Sequence, residues 1–277
     1  MEEKALKYMS DHMKGIYRNL NALEYMHSEF VKLIETQDVK ETLKQELIDR
    51  ETTKKVAGDI INSLGFKRYT DLYNFIIEND RIVFDPNARE SQYRFVIPNY
   101  NPIEHILISE KDKDKRTIIT LVHEFFHWTN HMENQNNAHY MLGEFISIYF
   151  EEYATDYLLN NNLYTEEELD VKCRLRETYN QLSKNYIEKT GRYDPIQEAD
   201  VLASHYSGYF RHLLGYFLAE WARINNIDPR TMIVFNENIQ NFESFEEALN
   251  YLGITDLKEV TDTVVDNIKN KKNKKVR

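Results

Sequence analysis

Five consecutive residues, His123-Glu124-Phe125-Phe126-His127, combine the side chains that hold a metal ion with one that can move a proton. Two histidines four apart lie one turn apart on the same face of a helix, so both imidazoles can reach one ion. The glutamate after the first histidine is placed to take a proton from a water on that ion. Hydrolysis by a zinc-activated water is the chemistry this spacing serves, with His123 and His127 as Zn2+ ligands and Glu124 as general base. A catalytic zinc with an open position takes three protein ligands, so a further side chain has to come from elsewhere in the chain.

The segment from Gly143 to Leu159 supplies candidates. It is of helix length and apolar on most sides, with acids at its middle. A carboxylate in such a stretch is costly unless it is paired or bound to metal, which singles out Glu151 and Glu152. Glu151 has the small Ala154 three residues on, which lets its helix approach the histidine helix closely. Glu152 instead has Asp156 one turn on, a partner for a ligand histidine. On these grounds Glu151 is favoured as the third ligand, with Glu152 as the alternative.

The elements that must position these residues are also legible. Ile118, Leu121, Val122 and Phe125 form an apolar stripe at helical spacing and leave Thr120, His123, Glu124 and His127 on the opposite face. The short β-favouring runs 81–85, 93–97 and 104–108 are bounded by Asp85-Pro86, Pro98 and Pro102, and predict a small sheet before the metal helix. Only eight glycines and five prolines among 277 residues favour a mainly α protein around it. Met13, Ile16, Tyr17, Leu20 and Leu23, then Phe30, Leu33 and Ile34, give the N-terminal region a helical period. The expectation is one domain over 1–277: a helical region to 78, the zinc core over 79–255, and a C-terminal helix with a basic tail over 256–277.

Composition removes other functions. A net charge of −11 argues against nucleic acid as the main partner. The basic tail from Lys269 to Arg277 has no aromatic residue to stack on a base and reads as a solvated end. No long apolar run follows Met1-Glu2-Glu3-Lys4, so neither a secretory signal nor a membrane span is expected, and a cytoplasmic location is. The single cysteine, Cys173, lies in a charged stretch without a motif and reads as structural, in keeping with a reducing compartment.

Several segments together resemble the catalytic core of the thimet oligopeptidase and oligoendopeptidase F family of zinc metallopeptidases. They are Thr120-Leu121-Val122-His123-Glu124, Gly143-Glu144-Phe145, Glu151 with Ala154-Thr155, His205 with Gly208-Tyr209, Gly215-Tyr216-Phe217, and the closing run 242–253. The resemblance spans residues 80–255 and implies a gluzincin-like domain that hydrolyses peptides with Zn2+. It tilts the third ligand toward Glu151 and implies that His205 and Tyr209 donate hydrogen bonds to the developing oxyanion. It also implies that an extended peptide can pair along the edge of the small sheet, and that the N-terminal helices are scaffold or the remnant of a lid. The chain departs from the family at Phe126, where a glycine is usual, so Phe126 is expected to reshape the cleft floor. It departs again at Leu213 and Leu214, where the family has tyrosines and where His212 is the nearby substitute donor. These departures motivate an alternative, a zinc-binding protein that captures peptides or regulates a partner without turnover; Glu124 argues for hydrolysis, since a pure binding site needs no base.

Overall fold

The computed structural model describes residues 18–35, 48–88, 91–96, 104–110, 116–133, 138–165 and 199–275. These are mainly helical, with one small sheet ahead of the histidine helix, as the sequence predicts. Three helices come first: α1 (Leu20–Glu35), α2 (Arg50–Ser63) and α3 (Lys67–Glu78). Local chemistry sets the limits of α2. Asp49 accepts the Thr52 N–H at 2.9 Å at its start, and Gly65, with φ 74°, makes the left-handed turn beyond its end.

The sheet has the order β1-β3-β2, from β1 (Ile82–Asp85), β2 (Gln92–Val96) and β3 (Glu104–Ser109). The central β3 runs parallel to β1, with Ile82 opposite Ile106, and antiparallel to β2, with Val96 opposite Glu104. His105 to Ile108 are all buried, the pattern of a strand covered on both faces. β2 is left at an edge, with a register shift between Gln92 and Phe95.

Beyond the sheet run α4 (Arg116–Glu133), α5 (Ala138–Asn160), α6 (Ala199–Ile224), α7 (Pro229–Asn238), α8 (Phe245–Tyr251) and α9 (Leu257–Lys275). α5 is the centre of the molecule, packed on α4 on one side and on α6 on the other. α4 also lies against β2 and β3, while α9 returns to α1 and α6 and carries helix through Lys275 of the basic tail. Among the described residues no helix is long and apolar enough to cross a membrane. Met13, Ile16, Tyr17 and Cys173 lie outside the described residues.

One continuous core joins the described part of the N-terminal region to the histidine helix. Leu23, Met26 and Phe30 of α1 are fully buried, and the Phe30 ring meets Tyr216 and Phe217 of α6. Phe126 departs from the cleft-floor position expected of it. Its ring is fully buried, stacked on Phe150 of α5 at 3.7 Å between centroids and 7° between planes, and on Tyr69 of α3 at 5.6 Å. Position 126 lies on the flank of the histidine face, about 100° back from His127, and that flank is the one that α5 and α3 cover with Phe150 and Tyr69. Where a glycine would leave room, this aromatic ring clamps α4 to its neighbours. Phe126→Ala should therefore cost about 3–5 kcal/mol of stability, the usual range for a buried phenylalanine, measured by urea unfolding. A cost below about 1 kcal/mol would mean that the stack does not hold α4.

Candidate metal centre

The apolar stripe of α4 behaves as its spacing dictates. Ile118, Leu121, Val122 and Phe125 are fully buried, which turns the half-buried His123 and His127 toward the other side, their ring centroids 4.6 Å apart. Glu124, 7% exposed, stays beside them.

α5 faces these imidazoles with Glu144 and Glu151, seven residues and therefore nearly two whole turns apart. Glu144 Oε2 lies 3.1 Å from His127 Nε2 and 3.6 Å from His123 Nε2. Glu151 Oε2 instead takes the other nitrogen of His123, Nδ1, at 3.0 Å. With the Nδ1–H given to Glu151, the Nε2 edge of His123 is turned toward Glu144, as carboxylate partners commonly orient ligand histidines. One ligand atom each from His123, His127 and Glu144 lie within 4.8 Å of one another, and this group could hold a metal ion.

α6 closes the third side. Arg211 Nη2 reaches the second oxygen of Glu144, Oε1, at 2.7 Å, and His212 Nδ1 reaches Oε2 at 3.2 Å. This approach depends on Gly215. A Cβ there would come within 2.9 Å of Glu144 Cβ and 3.0 Å of the Glu144 carbonyl carbon, so any larger residue pushes α6 off α5 at the glutamate.

The donor set fits zinc. Two atoms bound to one zinc at nitrogen and oxygen distances and at tetrahedral angles are about 3.3 Å apart. The Nε2 to Oε2 separations of 3.1 and 3.6 Å fall on either side of that value. Strong electrostatic effects act on all three groups. Burial works against charge on His123, but the Glu151 carboxylate, then Glu124 and Glu144, outweigh it and push the imidazole up to about 9. Burial also opposes ionisation of Glu144, and His127 and His212 more than reverse it, holding the carboxyl well below its usual range. His127 is lowered by burial first, with the charges of His123 and Arg211 adding to the effect against Glu144. The cluster of acids thus demands positive charge.

Of the residues that the sequence points to, the structure gathers His123, Glu124, His127 and Glu151. Glu152 turns elsewhere, to Arg223 Nη1 at 3.1 Å, and Asp156 takes Arg223 Nη2 with both oxygens at 3.0 Å. His205 and Tyr209 belong to α6, and their side chains lie outside the described residues. Sequence reasoning missed Arg211 and the place of Glu144, which it read only as the middle of Gly143-Glu144-Phe145. The available signal for Glu144 was its spacing of seven from Glu151 within a buried helix.

No protein-family model, curated protein or solved structure matches the chain. The likeness to the oligopeptidases rests on the motifs of the chain itself.

The geometry ranks the three glutamates of α5. Glu144→Ala should abolish tight zinc binding, Glu151→Ala should weaken it roughly 10–100-fold as loss of an orienting partner does, and Glu152→Ala should leave it unchanged. Competition with a chromophoric chelator measures all three. Should Glu151→Ala lose as much affinity as Glu144→Ala or more, Glu151 is the third ligand.

Proposed function

We propose that the chain is a zinc-dependent peptidase in which His123, His127 and Glu144 hold the ion, Glu151 orients His123, and Glu124 is the general base. The observation that carries this reading is the convergence of both Nε2 atoms on a buried Glu144 oxygen, with a second buried glutamate directly after the first histidine. Two imidazoles and a carboxylate suit zinc, and a set of three leaves a position open for reacting groups.

A zinc ion held by His123, His127 and Glu144 would supply Lewis acidity and an acidified water. Glu124 takes the proton of the attacking water and returns it to the leaving amine, a contribution of about 10²–10⁴-fold. Its burial keeps that carboxylate close to the reacting groups and away from bulk water. A peptide is the substrate class that the surroundings suit. β2 stands at the sheet edge and against α4, so an extended chain can add to it by main-chain hydrogen bonds. His205, Tyr209 and His212 are spaced at helical intervals along α6, and the family resemblance gives the first two to the oxyanion.

Glu124→Gln separates catalysis from binding. The amide cannot accept a proton, so hydrolysis of a quenched peptide library should fall by at least about 100-fold while zinc content stays that of the parent. Equal turnover by the variant removes Glu124 from the mechanism. A zinc-loaded parent chain that binds peptides and cleaves none would favour the peptide-capture alternative.

A further inference from the structure

Glu144 is held on both of its oxygens, and from different helices. Oε2 faces the two α4 imidazoles, whereas Oε1 is taken by Arg211 at 2.7 Å, the shortest polar contact that the carboxylate makes among those described. Arg211 is three-quarters buried and Glu144 almost wholly so, at 24% and 2% side-chain exposure, which places the pair in surroundings where a charge-assisted hydrogen bond is strong. The contact cannot relax by a shift of α6, because Gly215, one turn further along, already seats that helix on the Glu144 backbone.

We propose that Arg211 is a positioning residue that makes Glu144 a one-oxygen ligand. A free carboxylate can approach an ion through one oxygen or both. With Oε1 held by the guanidinium, Oε2, which His212 Nδ1 also approaches at 3.2 Å, is the oxygen that faces both imidazoles, and the coordination number would stay low enough to leave room for substrate. The positive charge of Arg211 also offsets part of the repulsion among Glu124, Glu144 and Glu151. This inference rests on the metal reading above and adds a coordination mode to it.

The experiment replaces zinc with cobalt(II), whose visible bands are intense in four-coordinate sites and weak when coordination expands. Arg211→Met should lower zinc affinity roughly 10–100-fold, the range for loss of a ligand's partner, and should weaken the cobalt bands as Glu144 swings to use both oxygens. Arg211→Lys keeps a cation within reach of Oε1 and should restore most of both. If Arg211→Met proves unable to fold by circular dichroism, Arg211→Gln takes its place: its amide N–H still holds Oε1 without the charge, so affinity should fall while the bands persist. Unchanged affinity and bands in Arg211→Met, or unchanged affinity in Arg211→Gln, or a lysine variant no better than methionine, overturns the proposal. A parent chain that takes up neither zinc nor cobalt defeats the metal reading itself, and the two failures are told apart in this way.

Discussion

The structure turns on a carboxylate in the wrong place. Glu144 sits in the most apolar of the described helices with 2% of its surface exposed, where an uncompensated charge would cost several kcal/mol. It is tolerated because α4 brings His123 and His127 to one oxygen while α6 brings His212 to the same oxygen and Arg211 to the other. Meeting that requirement fixes the approach of both neighbours to α5. On one side the Phe126 ring lies flat on Phe150, and on the other the absence of a side chain at Gly215 lets two backbones nearly touch. The features that look like packing details are the conditions under which the charge can be buried.

α5 answers a second demand on another face. One residue beyond Glu151 is about 100° further round the helix, which takes Glu152 off the histidine face and onto Arg223. Asp156 and Glu220 complete that ion-pair cluster, which ties α5 to the C-terminal end of α6 while Glu144, through Arg211 and His212, ties it to the middle. Burial lowers the tendency of Arg223 to hold its proton, yet the surrounding carboxylates reverse that and keep it charged. A central helix with two acidic stripes presents no single polar side, and its apolar residues accordingly show no one-sided pattern.

This explains what could be read in advance. α4 has one apolar stripe and one polar face, so period alone showed that His123 and His127 face the same way with Glu124 beside them. The sheet was legible from three short β-favouring runs bounded by turn residues, although the sequence carries no sign that β3, third in the chain, lies between the other two. α5 was legible as buried and its acids as purposeful, yet choosing among Glu144, Glu151 and Glu152 needs the rotation of one helix against two others. That rotation is set by contacts far apart in sequence, such as Gly215 against Glu144, which no local pattern contains. Phe126 was misread for a related reason: its difference from a glycine suggested a change in the cleft, whereas Phe150 of α5 and Tyr69 of α3 cover its flank of α4 and take the ring into the core.

The same opposition of faces bears on how well the centre is built. His123, Glu124, His127 and Glu144 project from helix interiors rather than from loops, and α4 packs Phe125, Phe126 and Trp128, all essentially buried, against the core. Such rings leave a helix little freedom to rotate or slide, because each would have to break close contact with several neighbours at once. A functional constellation has to be held to about 0.5 Å, and side chains on a packed helix meet that tolerance better than side chains on a loop. The Nε2 to Oε2 separations of 3.1 and 3.6 Å are already close to those around a tetrahedral ion. Core packing behind α4 therefore sets the geometry in front of it, and an ion would enter a shape that the fold maintains.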